Sequence, residues 1–371
     1  MQTLSVTQRL ADIALARRCI LDADHGSHPH GVAPWITQSW QRCLQRGLHP
    51  EQAVVFDTVA LAHMRRTEEA NQALVQVARP TLEHLGRAVR HTGYFALLTN
   101  ADGVVVDVSG NIDRDDPRAH RLTRVGTDLS ERAVGTTAIG SALSDQHPVW
   151  LHRGEHFFRD TGHYSCAGAP VMGADGRCIG MLDLTGVEVP ERPELLHLVC
   201  QAARRIENAL LLQRPHRLLL RLGWPGDALG SEADALVALD GEGWVAGFNA
   251  AARQMISALA APAPATLHAS DLFGLPYQLL FDAACHPGRA LEIPLWSGLY
   301  LQALAQHPGP QPEVCSAGTA PAHVAPPLKA LEASLIRRAV EQARGNVAAA
   351  AQALGISRAT VYRKLRQRGG H

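Results

Sequence analysis

The stretch that most constrains the fold of this chain runs from Gly345 to Arg368, with the sequence GNVAAAAQALGISRATVYRKLRQR. The apolar residues of its first half recur at i, i+3, i+4 and i+7, namely Val347, Ala350, Ala351 and Leu354. This spacing predicts the buried face of a short helix. Gly355 is suited to end that helix, because the residue after a helix often needs a positive φ. Ser357 is a good N-cap for a second helix. The stretch is therefore predicted to form a helix, a tight turn and a second helix.

A longer helix is predicted directly before this stretch. Its apolar face consists of Leu328, Leu331, Leu335, Ile336, Ala339, Val340 and Ala343. From residue 327 to residue 371, nine lysines and arginines stand against two glutamates, whereas the whole chain carries 35 of each sign. A helix-turn-helix with such a local positive charge is typical of a protein that lays its second helix in the major groove of DNA. The alternative is an ordinary helical hairpin with a solvated charged face.

The segment GNVAAAAQALGISRATVYRKL resembles the Fis-type helix-turn-helix that ends bacterial enhancer-binding activators. The resemblance implies an all-α DNA-binding domain at residues 328–371 that forms a homodimer through its first helix. The two recognition helices would then bind an inverted repeat in double-stranded DNA, with half-sites about 34 Å apart. Eight residues are predicted to form the DNA-binding face: Ser357, Arg358, Ala359, Thr360, Tyr362, Arg363, Lys364 and Arg366. We expect Arg358, Thr360 and Arg363 to reach base edges, and Ser357, Lys364 and Arg366 to contact phosphates.

Composition places this module in a multidomain chain. With 371 residues, of which 46% are hydrophobic, about two or three domains are expected. No apolar run reaches the ~18 residues that a membrane span needs, and Met1 is not followed by a secretory leader. The seven cysteines form no CxxC pair, so they are predicted to be reduced thiols. We therefore expect a cytoplasmic, nucleoid-associated bacterial protein with no membrane partner.

The first 66 residues are predicted to form a helical region. Helical spacing covers Thr3 to Leu21, a Gly, Pro and His-rich loop follows, and a short helix lies within Ile36–Pro50 with Gly47 at its end. The sequence ITQSWQRCLQRGLHP in that last range is similar to the SWxRC…GLxP signature near the start of acetoin-catabolism activators.

Residues 67–214 are predicted to form an α+β sensor domain. A long helix from Thr67 to Thr92 is followed by two hairpins around Asp102-Gly103 and Asp175-Gly176, and by a helix from Pro193 to Leu212. The region resembles the GAF domain of the same activators, in which SERAVGTTAIGSAL and GEHFFRDTGHYSCAGAPV are recognisable blocks. The resemblance implies a pocket for an unknown small-molecule effector. The predicted pocket residues are Arg132, Thr136, Thr137, Ser141, His156 and Cys166. The alternative is an ordinary helix packed against the sheet.

Three further segments complete the predicted organisation. Residues 215–230 are expected to be a Pro/Gly linker, and residues 231–307 resemble a small PAS-like α+β domain that could be degenerate. Residues 308–327 form a second, Pro-rich linker. In the full-length relatives an AAA+ ATPase would stand at this second junction. The 371 residues contain no G-x-x-x-x-G-K-[ST] phosphate loop and no GAFTGA sequence, so we expect the protein to act without ATP hydrolysis.

The histidines and cysteines suggest two kinds of chemistry, metal binding and thiol redox chemistry. His152, His156, His163 and Cys166 lie within fifteen residues, but their spacing matches no compact zinc pattern, so no metal and no cofactor is predicted. Cys166 could instead be a redox thiol, which would need an exposed thiolate near positive charge. No nucleophile elbow, dinucleotide fingerprint or H-E-x-x-H pair occurs, and the protein is predicted not to be an enzyme.

The leading hypothesis from the sequence is an effector-responsive, sequence-specific transcriptional regulator, with RNA polymerase as a candidate partner. Two alternatives belong to other classes. A Fis-like architectural protein would bend DNA without any ligand response, and a thiol-dependent GAF-domain enzyme would use Cys166.

Overall fold

A computed structural model of the chain describes residues 6–21, 31–54, 56, 59–260, 267–286 and 288–308. The Fis-type segment lies outside these residues, together with all eight predicted DNA-contact residues from Ser357 to Arg366. Over the described ranges the chain is a mixed α+β structure with two five-stranded antiparallel sheets.

Three helices precede the first strand, α1 (Val6–Leu21), α2 (Pro34–Gln45) and α3 (Leu61–Ala88). Pro34 stands in the first turn of α2, where its missing N–H costs no hydrogen bond. Gly47 follows the end of α2 with φ of 79°, as its predicted role requires. The long helix begins six residues before the predicted Thr67 and ends before Thr92.

The first sheet contains β1 (Tyr94–Asn100), β2 (Val105–Gly110), β3 (Val149–His152), β4 (Tyr164–Met172) and β5 (Cys178–Val187). Its order is β2-β1-β5-β4-β3, and both predicted hairpins are present. Its helices are α4 (Pro117–Leu122), α5 (Glu131–Val134), α6 (Ala138–Asp145) and α7 (Leu195–Leu212).

Both faces of this sheet are buried. Along β1, Phe95 and Leu97 point into a core that includes Trp40 of α2, whereas Ala96 and Leu98 point into a core formed with α3 and α7. Alternate residues of a strand face opposite sides, so one strand supplies both cores. The sheet is therefore the middle layer, with α3 and α7 on one side and α2, α5 and α6 on the other.

The second sheet contains β6 (Leu218–Gly223), β7 (Ala235–Leu239), β8 (Val245–Phe248), β9 (Leu291–Pro294) and β10 (Tyr300–Gln306). Its order is β8-β7-β6-β10-β9, with one apolar face covered by α8 (Ala250–Met255), α9 (Ala269–Leu272) and α10 (Gln278–Ala284). Residues 235–255 form a strand, a turn, a strand and a helix, and two later strands complete the sheet, so this part of the chain is an α+β unit as predicted.

The predicted linker at residues 215–230 is wrong over Leu218–Gly223, because these residues form β6, the central strand of the second sheet. Leu218, Leu220 and Leu222 are fully buried, and β6 pairs with both β7 and β10. The Pro and Gly residues that suggested a linker flank the strand, whereas the short apolar run between them supplies its burial.

Polar and apolar contacts join α7 to the second sheet. Leu211 at the end of α7 packs with Leu219, Leu236 and Ala238. Beside them the Nδ2 of Asn249 donates to the Oδ1 of Asn208 on α7 at 2.9 Å. The connection from the first sheet to the second is therefore a packed interface rather than a tether. None of the helices within the described ranges is long and apolar enough to cross a membrane.

Candidate functional site

A small cavity lies between the first sheet and the layer of α5 and α6. The sheet supplies Leu97 from β1, Cys166 from β4, and Asp183 and Thr185 from β5. The remaining lining residues are Leu122, Leu129, Val134, Thr137, Ala138, Ile139, His156 and Thr161, together with Phe56 and with Tyr164 at the start of β4. The volume of the cavity, counted as the space open to the centre of a water molecule, is about 30 Å3. One water needs about 10–15 Å3 by this measure, so the cavity has room for two or three waters or a very small molecule.

A chain of buried polar groups runs along one side of the cavity. The Nδ1 of His156 lies 2.9 Å from the carbonyl of Arg153, so this nitrogen carries the hydrogen and donates it. The Nε2 of His156 lies 3.5 Å from the Sγ of Cys166, which in turn lies 3.5 Å from the Oγ1 of Thr185. Thr185 donates to the Oδ2 of Asp183.

Burial favours the uncharged form of each group in this chain. It lowers the pKa of His156 to about 4 and raises that of the Cys166 thiol well above its usual value. It also raises the pKa of Asp183 to about 7, against which the hydrogen bond from Thr185 acts only in part. A buried, neutral thiol is a poor nucleophile, so the surroundings of Cys166 do not favour thiol chemistry.

The Oδ1 of Asp183 is the exception to this pairing, because it is buried without a hydrogen-bond partner. The residue is fully buried and lines the cavity. Gly168 stands opposite it in the sheet register. A Cβ at Gly168 would lie 3.3 Å from this oxygen and 1.9 Å from the Cε of Met181, so a side chain there would displace Met181 and crowd Asp183.

The six predicted pocket residues fall into three groups. Thr137, His156 and Cys166 line the cavity. Thr136 and Ser141 are fully buried but turn toward Ser39 of α2, at 2.8 and 3.5 Å. Arg132 is exposed and lies 4.0 Å from Asp128. The roles of all six residues in effector binding stay a prediction.

The four weak metal candidates are not gathered around one point. His156 and Cys166 are neighbours, whereas the Nδ1 of His152 lies 2.8 Å from the hydroxyl of Ser165 and the ring of His163 contacts that of Tyr164 at an angle of 54°. Burial lowers the pKa values of His152 and His163. Across the described part of the chain, no group of three or more His, Cys, Asp or Glu residues could hold a metal ion.

A buried ion-pair network joins α2 to α5. Helix α5 contributes Val134 to the side of the cavity that faces the sheet, which we call the outer wall. Glu131 of α5 accepts two hydrogen bonds from the guanidinium of Arg42, at 2.8 and 3.0 Å, and one from Arg46 at 2.9 Å. The hydroxyl of Ser39 donates to the same carboxylate at 2.8 Å. Ser39 has a single hydrogen, so Thr136 must donate to Ser39 in their 2.8 Å contact.

Helix α1 holds the segment that carries His156 from outside. Arg17 donates to the carbonyls of Gly154, His156 and Phe157, and Arg9 forms an ion pair with Glu155. Glu155 also accepts from the backbone N–H of His152 at 2.7 Å, and burial raises its pKa to about 7. The outer wall of the cavity is therefore fixed by both α1 and α2.

Sequence reasoning missed Asp183 and Thr185, and it missed that Glu131 pairs with Ser39, Arg42 and Arg46. Asp183 has a signal in the sequence, because a single carboxylate interrupts the apolar strand CIGMLDLTG. Such a residue costs free energy when buried, and it therefore marks a polar requirement inside a core. Glu131 has no comparable signal, because a Glu in a short helix is ordinarily exposed.

Two protein families match parts of this chain. Residues 327–367 match the family described as "Bacterial regulatory protein, Fis family", as the sequence predicted. Residues 10–208 match the family described as "MimR, N-terminal domain", over more than half of the chain. The chain therefore belongs to the MimR N-terminal domain family.

Two curated relatives have regulator names. The acetoin catabolism regulatory protein of Cupriavidus necator is 31% identical over 67% of this chain and 37% of its own length. The propane 2-monooxygenase operon transcriptional activator MimR of Mycolicibacterium goodii is 31% identical over 54% of this chain and 33% of its own. The chain thus spans about a third of the length of these relatives. Among solved structures, the crystal structure of the E. coli DhaR(N)-DhaL complex matches 75% of this chain and all of that one, at 16% identity and a TM-score of 0.45.

Proposed function

We propose that this protein is a transcriptional regulator that binds DNA through residues 328–371 and responds to a small molecule in the cavity of the first sheet. The observation that carries the proposal is the Fis-family match over residues 327–367, joined in one chain to a unit with a small cavity between its sheet and its helices. The two relatives described above are regulators and not enzymes, which agrees with the prediction that this chain is not an enzyme. We extend the regulation of transcription to this chain, but not their particular operons.

The sensor has two parts in this proposal. The first sheet with α3 to α7 acts as a GAF-like effector domain, and the second sheet acts as a PAS-like domain that connects it to the DNA-binding segment. Their shared interface at Leu211 and Asn208 supports a route for coupling, because a shift of α7 would move the second sheet with it.

The DNA-binding face keeps the roles predicted from the sequence. Arg358, Thr360 and Arg363 read bases in each half-site, Ser357, Lys364 and Arg366 bind phosphates, and a homodimer recognises an inverted repeat. Effector binding changes the spacing or orientation of the two recognition helices and thereby changes the access of RNA polymerase to the promoter.

Footprinting of the full chain on genomic fragments at moderate salt tests the DNA-binding part of the proposal. A discrete protection with dyad symmetry is expected, whereas uniform coverage would favour a Fis-like architectural protein. A change in DNA affinity when a small molecule binds the protein is expected in addition. By linkage, DNA must change the affinity for that molecule by the same factor, and independence of the two affinities would overturn the sensing proposal.

A further inference from the structure

The turn of the hairpin between β4 and β5 is buried against the second sheet. Residues 173–177 form this turn, and turns ordinarily lie exposed at the surface. Ala174 is nevertheless only 6% exposed, because it packs with Leu211 of α7 and with side chains of β6 and β7. The turn of the first sheet therefore belongs to the core between the two sheets.

Two hydrogen bonds hold this turn to β8 and α8. The backbone N–H of Phe248 in β8 donates to the carbonyl of Ala174 at 3.0 Å. The Nη1 of Arg253 in α8 donates to the carbonyl of Gly176 at 2.9 Å. Strand β8 is at the edge of its sheet, so the first of these bonds satisfies a backbone group that the sheet itself leaves open.

Two glycines allow the turn and the strand to approach so closely. A Cβ at Gly247 of β8 would lie 2.9 Å from the Cβ of Ala174 and 2.8 Å from the Cδ1 of Leu211. A Cβ at Gly176 would lie 3.0 Å from the Cζ of Phe248. A side chain at either position would therefore push the turn away from β8.

The base of the turn is fastened to α7 as well. The Oε1 of Glu207, a buried residue of α7, accepts from the backbone N–H of Met172, the last residue of β4, at 2.9 Å. The next residue of α7, Asn208, bonds to Asn249, the N-cap of α8. The end of the hairpin, α7 and the second sheet thus meet at one joint.

The same two strands line the cavity further from the turn. Cys166 of β4 and Thr185 of β5 both line it, and they are partners in the register of the sheet. Met172 is six residues further along β4 than Cys166, which corresponds to about 20 Å of strand. A continuous hydrogen-bonded hairpin therefore runs from the cavity to β8.

We propose that the β4–β5 hairpin is a latch between the two sheets. Its turn holds the edge strand β8, so that a change where β4 and β5 line the cavity reaches the second sheet without passing through the connection from α7 to β6. This inference deepens the proposed sensing function and rests on it.

A substitution at Gly247 tests whether the turn holds β8. Hydrogen exchange of the full chain, followed by mass spectrometry over residues 245–256, reports on the N–H of Phe248. Gly247→Ala is expected to make this exchange about tenfold faster, because the turn is displaced and the N–H loses its acceptor. Gly241→Ala is the matched control, since a Cβ there meets its nearest atom at an ordinary 3.7 Å, and it should change the exchange by less than about twofold.

A second variant leaves the backbone of β8 untouched. Arg253→Leu removes the donor to Gly176 and should make the exchange of residues 245–256 about threefold faster. The exposed Arg289→Leu is its control and should leave that exchange unchanged. Wild-type exchange over residues 245–256 in both Gly247→Ala and Arg253→Leu would overturn the latch.

Transmission from the cavity is tested at Thr185. Thr185→Val removes the hydroxyl that donates to Asp183 with little change of shape, and it should make exchange over residues 245–256 about threefold faster. Residues 291–306, at the opposite edge of the sheet, are the internal reference. In a chain that already carries Gly247→Ala, Thr185→Val should have no further effect, because the latch is open.

An equal effect of Thr185→Val in both backgrounds, or no effect in either, would overturn transmission through the hairpin. The footprint on DNA is a separate measurement. A normal footprint with unaltered exchange in β8 would refute the latch alone, whereas loss of the footprint in wild type would refute the proposed function and leave the exchange results standing.

Discussion

The hydroxyl of Ser39 donates a 2.8 Å hydrogen bond to the carboxylate of Glu131, across 92 residues of sequence. Ser39 belongs to the SWQRC block and Glu131 to the SERAVGTT block, both of which were singled out by resemblance to acetoin-catabolism activators. The two blocks therefore meet in space, and Arg42 and Thr136 join the same network. Their common role is to fasten α2 to the helices at the cavity wall.

Removing the charge of Glu131 tests this fastening. Glu131→Gln leaves the half-buried Arg42 with a weaker partner, and we expect a loss of about 2–3 kcal/mol, below the full range for buried pairs because Arg46 is partly exposed. Arg132→Ala is the matched control, since that side chain is exposed, and it should change stability by less than about 0.5 kcal/mol. Urea denaturation measures both. Equal midpoints for the two variants would refute the structural role of the network.

Arg17 is expected to hold α1 against the cavity wall. Arg17→Ala removes the donors to three backbone carbonyls, and the loss should be about 1–3 kcal/mol. Hydrogen exchange in α1 should become faster. Arg18→Ala, at an exposed position on the same helix, is the control and should leave the exchange of α1 unchanged. Unaltered exchange in the Arg17 variant would mean that apolar packing alone holds the helix.

Asn249 is expected to be the most sensitive polar residue of the interface between the sheets. Its side chain donates to Asn208 and to the carbonyl of Asp234, and accepts from the backbone of Leu236 and Ala252. Asn249→Ala leaves buried groups unpaired and removes the N-cap of α8, at a cost of about 3 kcal/mol. Thermal unfolding measures the effect, with the exposed Asn111→Ala as control. A shift no larger than that of the control would contradict the prediction.

Asp183 should make stability depend on pH in a defined direction. Its pKa is raised to about 7 in the folded chain, from 3.8, so between these values the folded state holds a proton that the unfolded state has released. The resulting stability is fully present below about pH 4 and is lost as the pH rises through 7. Asp183→Asn removes this dependence and should be more stable than wild type at pH 8, by on the order of 2–4 kcal/mol.

The measurement for Asp183 is the difference in unfolding midpoint between wild type and variant at pH 5 and pH 8. Comparing the pair cancels the titration of other buried groups, including Glu155 and Glu207, whose pKa values burial also raises to about 7. A difference that does not grow with pH would mean that Asp183 is ionised in the folded chain.

The predicted DNA contacts divide by function. Arg363→Ala should reduce the preference for the specific site over random DNA by about 1–3 kcal/mol. Lys364→Ala should weaken binding to all sequences equally and reduce the salt dependence by about one phosphate contact. Titrations at several salt concentrations, on specific and random DNA, distinguish these outcomes. Equal losses on both DNAs for both variants would refute the assignment.

Features of the fold that depend on adjacent residues could be predicted from the sequence, whereas features that depend on contacts between distant residues could not. Asp102-Gly103 and Asp175-Gly176 marked two hairpins, because a tight turn needs those residues locally. Strand β6 was missed because Leu218–Gly223 is a short apolar run between Pro and Gly residues, and only its pairing with β7 and β10 identifies it. The direction of Thr136 and Ser141 toward Ser39, rather than the cavity, depends on contacts distant in sequence.

The connection between α7 and β6 is short, and it joins the helix directly to the central strand of the second sheet. Only the five residues from Gln213 to Arg217 separate the end of that helix from the strand at the centre of the second sheet. A displacement of α7 would therefore act on the middle strand of the sheet and not on an edge strand. The middle strand is hydrogen-bonded to a strand on each side. Any coupling carried by α7 would therefore begin at the centre of the second sheet and not at one of its edges.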